Sequence, residues 1–186
     1  MHWTLDPTHS SIEFSVRHLG IAKVKGRFRN FTASAELGPD GRFKSLTATI
    51  DAKSIDTGVE DRDNHLRSAD FFDVAKYPEI RFVSTSIKSL GVGRTEVKGN
   101  LTMHGVTKPL GFVLEQGDAI KDPWGNRRVA AEASGTISRK DWGLTWNQVL
   151  ELGGVAVSDA WMALAAAYAL CLWLLSRKVR AFEVVR

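Results

Sequence analysis

Turn signals recur roughly every ten residues along most of this chain, and the stretches between them alternate apolar and polar residues. A strand sends successive side chains to opposite faces and a helix does not, so this pattern confines the chain to antiparallel β-structure. Residues 11–17 put Ile12, Phe14 and Val16 on one face and Glu13, Ser15 and Arg17 on the other. Residues 27–37 group Phe31, Ala33, Ala35 and Leu37, and the Gly38-Pro39-Asp40-Gly41 that follows is a strong turn. Residues 43–51 group Leu46, Ala48 and Ile50, residues 95–103 group Val97, Leu101 and Met103 around Gly99, and residues 108–116 group Leu110, Phe112 and Leu114. The missing side chain of Gly99 predicts a bulge or bend. Residues 128–138 read as a long strand rich in Ala and Gly, suited to a tightly curved wall or to close approach of a ligand.

The alternation is interrupted once, by DRDNHLRSADFFDVAKYPEIRFVS from Asp61 to Ser84. Asp63 or Asn64 can cap a short helix through Ala69–Asp73, because a side-chain oxygen there satisfies an otherwise orphan N–H. Pro78 lacks the N–H a helix needs and biases Tyr77 toward extended geometry, so the helix stops before it. A strand follows from Glu79, with Ile80, Phe82 and Ser84 facing one way.

At 186 residues the chain is long enough for one domain with a substantial core. Its net charge of +4 comes from Lys and Arg that are spread out rather than clustered, which argues against a nucleic-acid partner. The single Cys171 allows no internal disulfide. Five His are present, but none forms an H-x₃-H or HExxH pair and no Cys partners them, so no metal site is expected. No GxSxG or Gly-rich phosphate loop occurs, and nothing assembles a nucleophile, a base and an oxyanion donor. The N-terminal MHWTLDPTHSS lacks a basic stretch followed by an apolar run, which points to a cytoplasmic protein.

HSSIEFSVRHLG, HLRSADFFDVAKYPEIRFVS, GNLTMHGVTKPL, SRKDWGLTWN and LELGGVAVSD resemble, in order and spacing, the YceI-like family of lipocalin-like polyisoprenoid-binding bacterial proteins. The resemblance covers residues 3–159. It implies an all-β fold, an extended eight-stranded antiparallel barrel with one short helix, whose apolar lumen holds an isoprenoid chain of the quinone or polyprenyl-phosphate type. It implies carriage, storage or scavenging without catalysis, with no cofactor beyond the bound lipid. A barrel of this size is wide enough to fill with side chains or to hold one small ligand.

Within that frame, Phe14, Val16, Ile50, Phe71, Phe82, Leu101 and Phe112 are candidate lumen residues, with core packing as the plain alternative for each. Trp142 and Trp146 are candidates for a lipid-contacting rim, or else plugs of the barrel end. Arg17, His18, His65 and Arg67 could meet at one mouth and grip a phosphate or a quinone carbonyl, Arg being suited to phosphate by its planar fork of donors. The alternative is a polar network that pins the helix to the sheet. A reading of another class makes the protein an enzyme acting on a lipid or quinone, with His65 or His18 as acid/base. A third makes it a periplasmic or membrane-tethered stress protein. His104 falls in a hairpin turn.

The C-terminus departs from the family pattern. Where the resemblance implies a last alternating strand, residues 160–175 are uncharged and rich in Ala and Leu, which favours a helix, and Arg177, Lys178 and Arg180 follow. The expected division is a barrel domain over 1–159 and a divergent tail over 160–186, with the final strand in doubt. As a helix the apolar run reaches about 24 Å at ~1.5 Å per residue, short of a ~30 Å hydrocarbon core. Three outcomes compete: a membrane contact through 160–175, a helix packed on the barrel, or an aberrant tail such as a shifted reading frame produces, with the strand absent or rebuilt from Val179–Val185. A homodimer is left open.

Overall fold

The computed structural model describes residues 2–19, 22–147 and 156–172. Among these residues twelve strands form one antiparallel sheet: β1 (His2–Leu5), β2 (Ser10–His18), β3 (Ala22–Phe28), β4 (Phe31–Leu37), β5 (Phe43–Asp51), β6 (Ile55–Asp56), β7 (Glu79–Gly91), β8 (Arg94–Met103), β9 (Val106–Gln116), β10 (Ile120–Lys121), β11 (Arg127–Ser138) and β12 (Val157–Leu172). Several are pieces of one another. β1 runs on into β2, β3 into β4, β5 into β6 and β9 into β10, each pair lying against the same neighbours. The twelve strands therefore make eight staves, and the ring of pairings closes where β12 joins β11 on one side and β1 and β2 on the other. This is the expected eight-stranded barrel.

The final strand, in doubt from composition, is present. Residues 160–172 continue the strand begun at Val157, so the expected helix does not form there. Trp161 pairs with Val16 and Ile137, and Ala165 with Ile12 and Ala133, which gives this strand a ladder on each side. No helix among the described residues is long and apolar enough to cross a membrane. The expectation of a strand rebuilt from Val179–Val185 lies outside the described residues.

The one α-helix among the described residues, α1, spans Glu60–Arg67, so it begins before the expected cap at Asp63 or Asn64 and ends before the expected Ala69–Asp73. Its charge order explains the shift: Glu60, Asp61 and Asp63 occupy the first turn and His65 and Arg67 the last, each sign at the helix end that favours it. Val59 is the N-cap and makes no side-chain cap bond. Asp63, expected as a cap, is not one. It is buried and accepts hydrogen bonds from the N–H and hydroxyl of Thr57. Residues 68–77 then form successive turns that bury Phe71 and Phe72.

Two strand glycines are needed for packing. A Cβ at Gly26 would run into the Phe14 ring, and one at Gly99 into the Phe82 ring and the Val83 carbonyl. Both aromatic rings thus lie close against the wall. The expected bulge at Gly99 is found opposite it, as a register shift between Ser84 and Ser86. His104 and Gly105, both with positive φ, make the β8–β9 hairpin turn.

Candidate ligand-binding cavity

Inside the ring lies a cavity of about 240 Å³. The inward residues that line it come from nearly every stave: Phe14 on β2, Ile50 on β5, Phe82 on β7, Leu101 on β8, Phe112 on β9 and Gly135 on β11. Its described lining is mostly apolar, and the exceptions are Ser11 and Glu13 of β2 and Glu132 and Ser134 of β11, all but the half-buried Ser11 exposed. Phe82 and Phe112 pack ring to ring at 5.3 Å. At Gly135 an added Cβ meets nothing within 4 Å among the described residues, so the wall there stands clear of its neighbours. The space follows from the β11–β12 seam, where small residues pair with small: Ala131 with Ala167, Ala133 with Ala165, Gly135 with Ala163.

Both ends are plugged. At one, Phe72 sits edge-on to Phe28 at 5.9 Å and packs on Trp161, also at 5.9 Å. At the other, Trp3, Leu37 and Val129 are almost fully buried and separate the lumen from an outer depression around Gly38–Gly41.

Of the residues singled out from sequence, Phe14, Ile50, Phe82, Leu101 and Phe112 are in the cavity wall. Val16 is half-buried and packs against the core, and Phe71 lies behind Phe72, so neither is in the wall. Trp142 is a plug: buried, its indole N–H donates to the Leu101 carbonyl at 3.0 Å. Trp146 covers α1, packing on His65 at 4.6 Å and Phe71 at 5.2 Å. The alternation missed Phe72 and Trp161, which sit where period-two reasoning has no purchase: one in a turn, the other in an apolar run that reads as helix.

Among the described side chains, Arg17, His65 and Arg67 do not form one cluster. Arg17 is exposed, opposite Lys23 on β3. His65 Nε2 lies 3.2 Å from Asp70 Oδ2, and its ring is edge-on to Phe71 and Trp146. Arg67 is committed to pinning α1: it donates to the carbonyls of Lys53 at 3.0 Å and Ile55 at 2.9 Å and to Asn64 Oδ1 at 3.0 Å. That is the network alternative, and it leaves Arg67 no free fork. His18 ends β2, and its side chain lies outside the described residues.

Sequence reading missed two further polar sites. Arg139 is fully buried and donates to the carbonyls of Leu144 at 2.6 Å, Trp146 at 2.7 Å and Ser158 at 3.2 Å, which ties the turn after β11 to the start of β12. Arg128 bridges Asp6 at 3.0 Å and Asp122 at 2.8 Å. Burial alone would raise the pKa of both carboxyls. Hydrogen bonds outweigh it, from Thr8, His9 and Arg128 to Asp6 and from Arg128, Asn126 and Trp124 to Asp122, and hold each pKa at about 2. Among the described residues no group of three His, Cys, Asp or Glu could hold a metal ion.

An antiparallel barrel of eight staves, hollow at its centre and plugged by aromatics, is a lipocalin-like architecture. Residues 3–162 match the YceI-like domain, and the chain belongs to that family. It is 41% identical over 157 residues to a UPF0312 protein of Staphylococcus aureus, covering 83% of this chain and 88% of that one. It is 40% identical over 137 residues to a UPF0312 protein of Vibrio cholerae, covering 73% and 72%. Among solved structures, the Campylobacter jejuni YceI protein is 29% identical with a TM-score of 0.74, covering 85% of this chain and 90% of that one. A polyisoprenoid-binding domain from Saccharophagus degradans shares the fold at 17% identity, with a TM-score of 0.68 and coverage of 91% and 98%.

Proposed function

We propose that the protein binds an isoprenoid lipid in the barrel lumen and acts as its carrier, store or scavenger, without catalysis. The observation that carries this reading is the apolar cavity of about 240 Å³ where a barrel this size could have been filled by its own side chains. An engineered apolar cavity of about 150 Å³ stays dry and takes up benzene, so a larger one with such a wall suits hydrocarbon. Each methylene buried there contributes roughly 0.8 kcal/mol, and a short prenyl stretch binds tightly with no polar contact. Family membership and the polyisoprenoid-binding domain that shares the fold support the same ligand class.

Extraction of the purified protein followed by mass spectrometry should recover a prenyl lipid. Phe82→Asp, which sets a carboxylate in the cavity wall, should abolish loading, while Lys88→Ala on the exposed face of β7 should leave it intact. A barrel that is always recovered empty and is indifferent to added polyprenols would overturn the reading.

A further inference from the structure

The wall of the barrel has a gap. Thr4 pairs with Ser34, and Ile12 with Phe28. Between these rungs Leu5–Ser11 and Arg29–Ala33 share no ladder pair. The intervening loop is drawn to the far side of its stave: Asp6 accepts from Thr8, lies 2.9 Å from the His9 ring nitrogen, and is held by Arg128 of β11. Outside the gap lies a groove of about 340 Å³, lined by Thr4, Thr32, Ser34, Thr47 and Thr49 together with Leu5, Pro7, Phe31 and Ala33. Leu5, Phe31 and Ala33 also line the central cavity, so groove and lumen share a wall at the gap.

We infer that this groove is an exterior subsite for the polar end of the lipid whose tail occupies the lumen, and that it selects an uncharged, oxygen-bearing head over a phosphate. The inference rests on the lumen reading above. Aromatic and aliphatic plugs close both barrel ends, so an amphipathic ligand places its polar end in water through the side. Among the described residues the groove's lining carries five hydroxyl side chains and no charged one; Arg81, cross-strand from Thr49, is not part of that lining. Hydroxyls donate to and accept from a carbonyl or an alcohol, whereas a phosphate dianion calls for cationic forks and ammonium groups, which the described lining does not supply.

The test uses two probes with the same tail, geranylgeraniol and geranylgeranyl monophosphate, titrated against the full chain, a Thr32→Val/Thr47→Val variant and Lys88→Ala. The alcohol should bind the unmodified chain more tightly than the phosphate. Each lost hydrogen bond should weaken alcohol binding about three- to ten-fold, so the double variant loses the preference and Lys88→Ala keeps it. Equal or tighter binding of the phosphate, or a preference untouched by the two valines, overturns the subsite and leaves the lumen standing. If neither probe binds the unmodified chain, the lumen reading falls and the subsite falls with it.

Discussion

Gly135→Leu should stabilise the barrel and empty it of ligand. Gly135 shares a face of β11 with Ala131, Ala133 and Ile137, all in the cavity wall, and a Cβ there meets nothing within 4 Å among the described residues. Its φ lies outside the left-handed range, so a branched side chain adds no backbone strain. Glycine within a strand costs roughly 0.5–1 kcal/mol relative to alanine. Filling half of the cavity, about 120 Å³ at ~24 cal/mol per Å³, bounds the packing gain near 3 kcal/mol. Loss of leucine rotamer freedom and imperfect fit bring the expected net to about 1–2 kcal/mol. A leucine side chain takes the space of about four carbons of ligand, and at ~0.8 kcal/mol each the lost burial is about 3 kcal/mol, more than a hundred-fold in affinity. Urea denaturation and titration with a fluorescent polyprenol read the two quantities separately. A variant that melts later yet binds as before would show that the lipid does not sit in this cavity. One that is strongly destabilised would show that position 135 does not face open space.

Arg139→Ala should cost about 3 kcal/mol or more in urea denaturation, because it leaves the buried Leu144 carbonyl and the partly buried carbonyls of Trp146 and Ser158 short of a donor. Arg139→Lys should recover little of that, since an ammonium cannot reproduce the planar fork; full recovery would mean that only charge matters there. Asp6 and Asp122 have pKa values of about 2, below the ordinary 3.8, so their stabilisation is complete above about 3.8 and is lost as the pH falls toward about 2. Arg128→Ala removes a donor common to both and should move the acid limb of the stability curve to higher pH; superimposable acid profiles would refute this. Ala165→Pro removes a ladder donor from a strand paired on both sides and should cost on the order of 3 kcal/mol or more, read as a lower melting temperature. An unchanged melting curve would mean that the strand is not formed there.

Period-two alternation was enough to read seven of the eight staves, their inward faces and five of the wall residues, because it reports directly which side of a strand each residue occupies. It had no purchase on the segment between β6 and β7. There the fold is set by individual side-chain contacts rather than by a period: Asp63 buried under Thr57, Arg67 reaching the carbonyls of Lys53 and Ile55, Phe72 turned into the lumen while Phe71 packs against His65. Residue type suggested a head-group cluster of Arg17, His18, His65 and Arg67. An arginine whose donors are taken by backbone carbonyls looks the same in a sequence as one left free for ligand. The four breaks within staves were equally illegible, and one of them opens the wall.

The closing strand shows the limit most sharply. Alanine and leucine are the best helix formers, by a few tenths of a kcal/mol per residue over most other types, and alone the run after Asp159 reads as helix. In the barrel the choice is collective. A helix would satisfy its own backbone but leave the facing edges of β11 and of β1 and β2 without partners, and each buried N–H or C=O left unpaired costs about 1–3 kcal/mol. A strand pairs with both edges over most of its described length, with β11 from Ala160 to Cys171 and with β2 and β1 from Val157 opposite His18 to Leu172 opposite Trp3. Propensity is outweighed by the two neighbouring edges. The small residues that suggested a helix stand in register with Ala131, Ala133 and Gly135. A seam of such residues closes the ring with little bulk at its rungs, so the composition that obscured the strand is also the one that suits a hollow barrel.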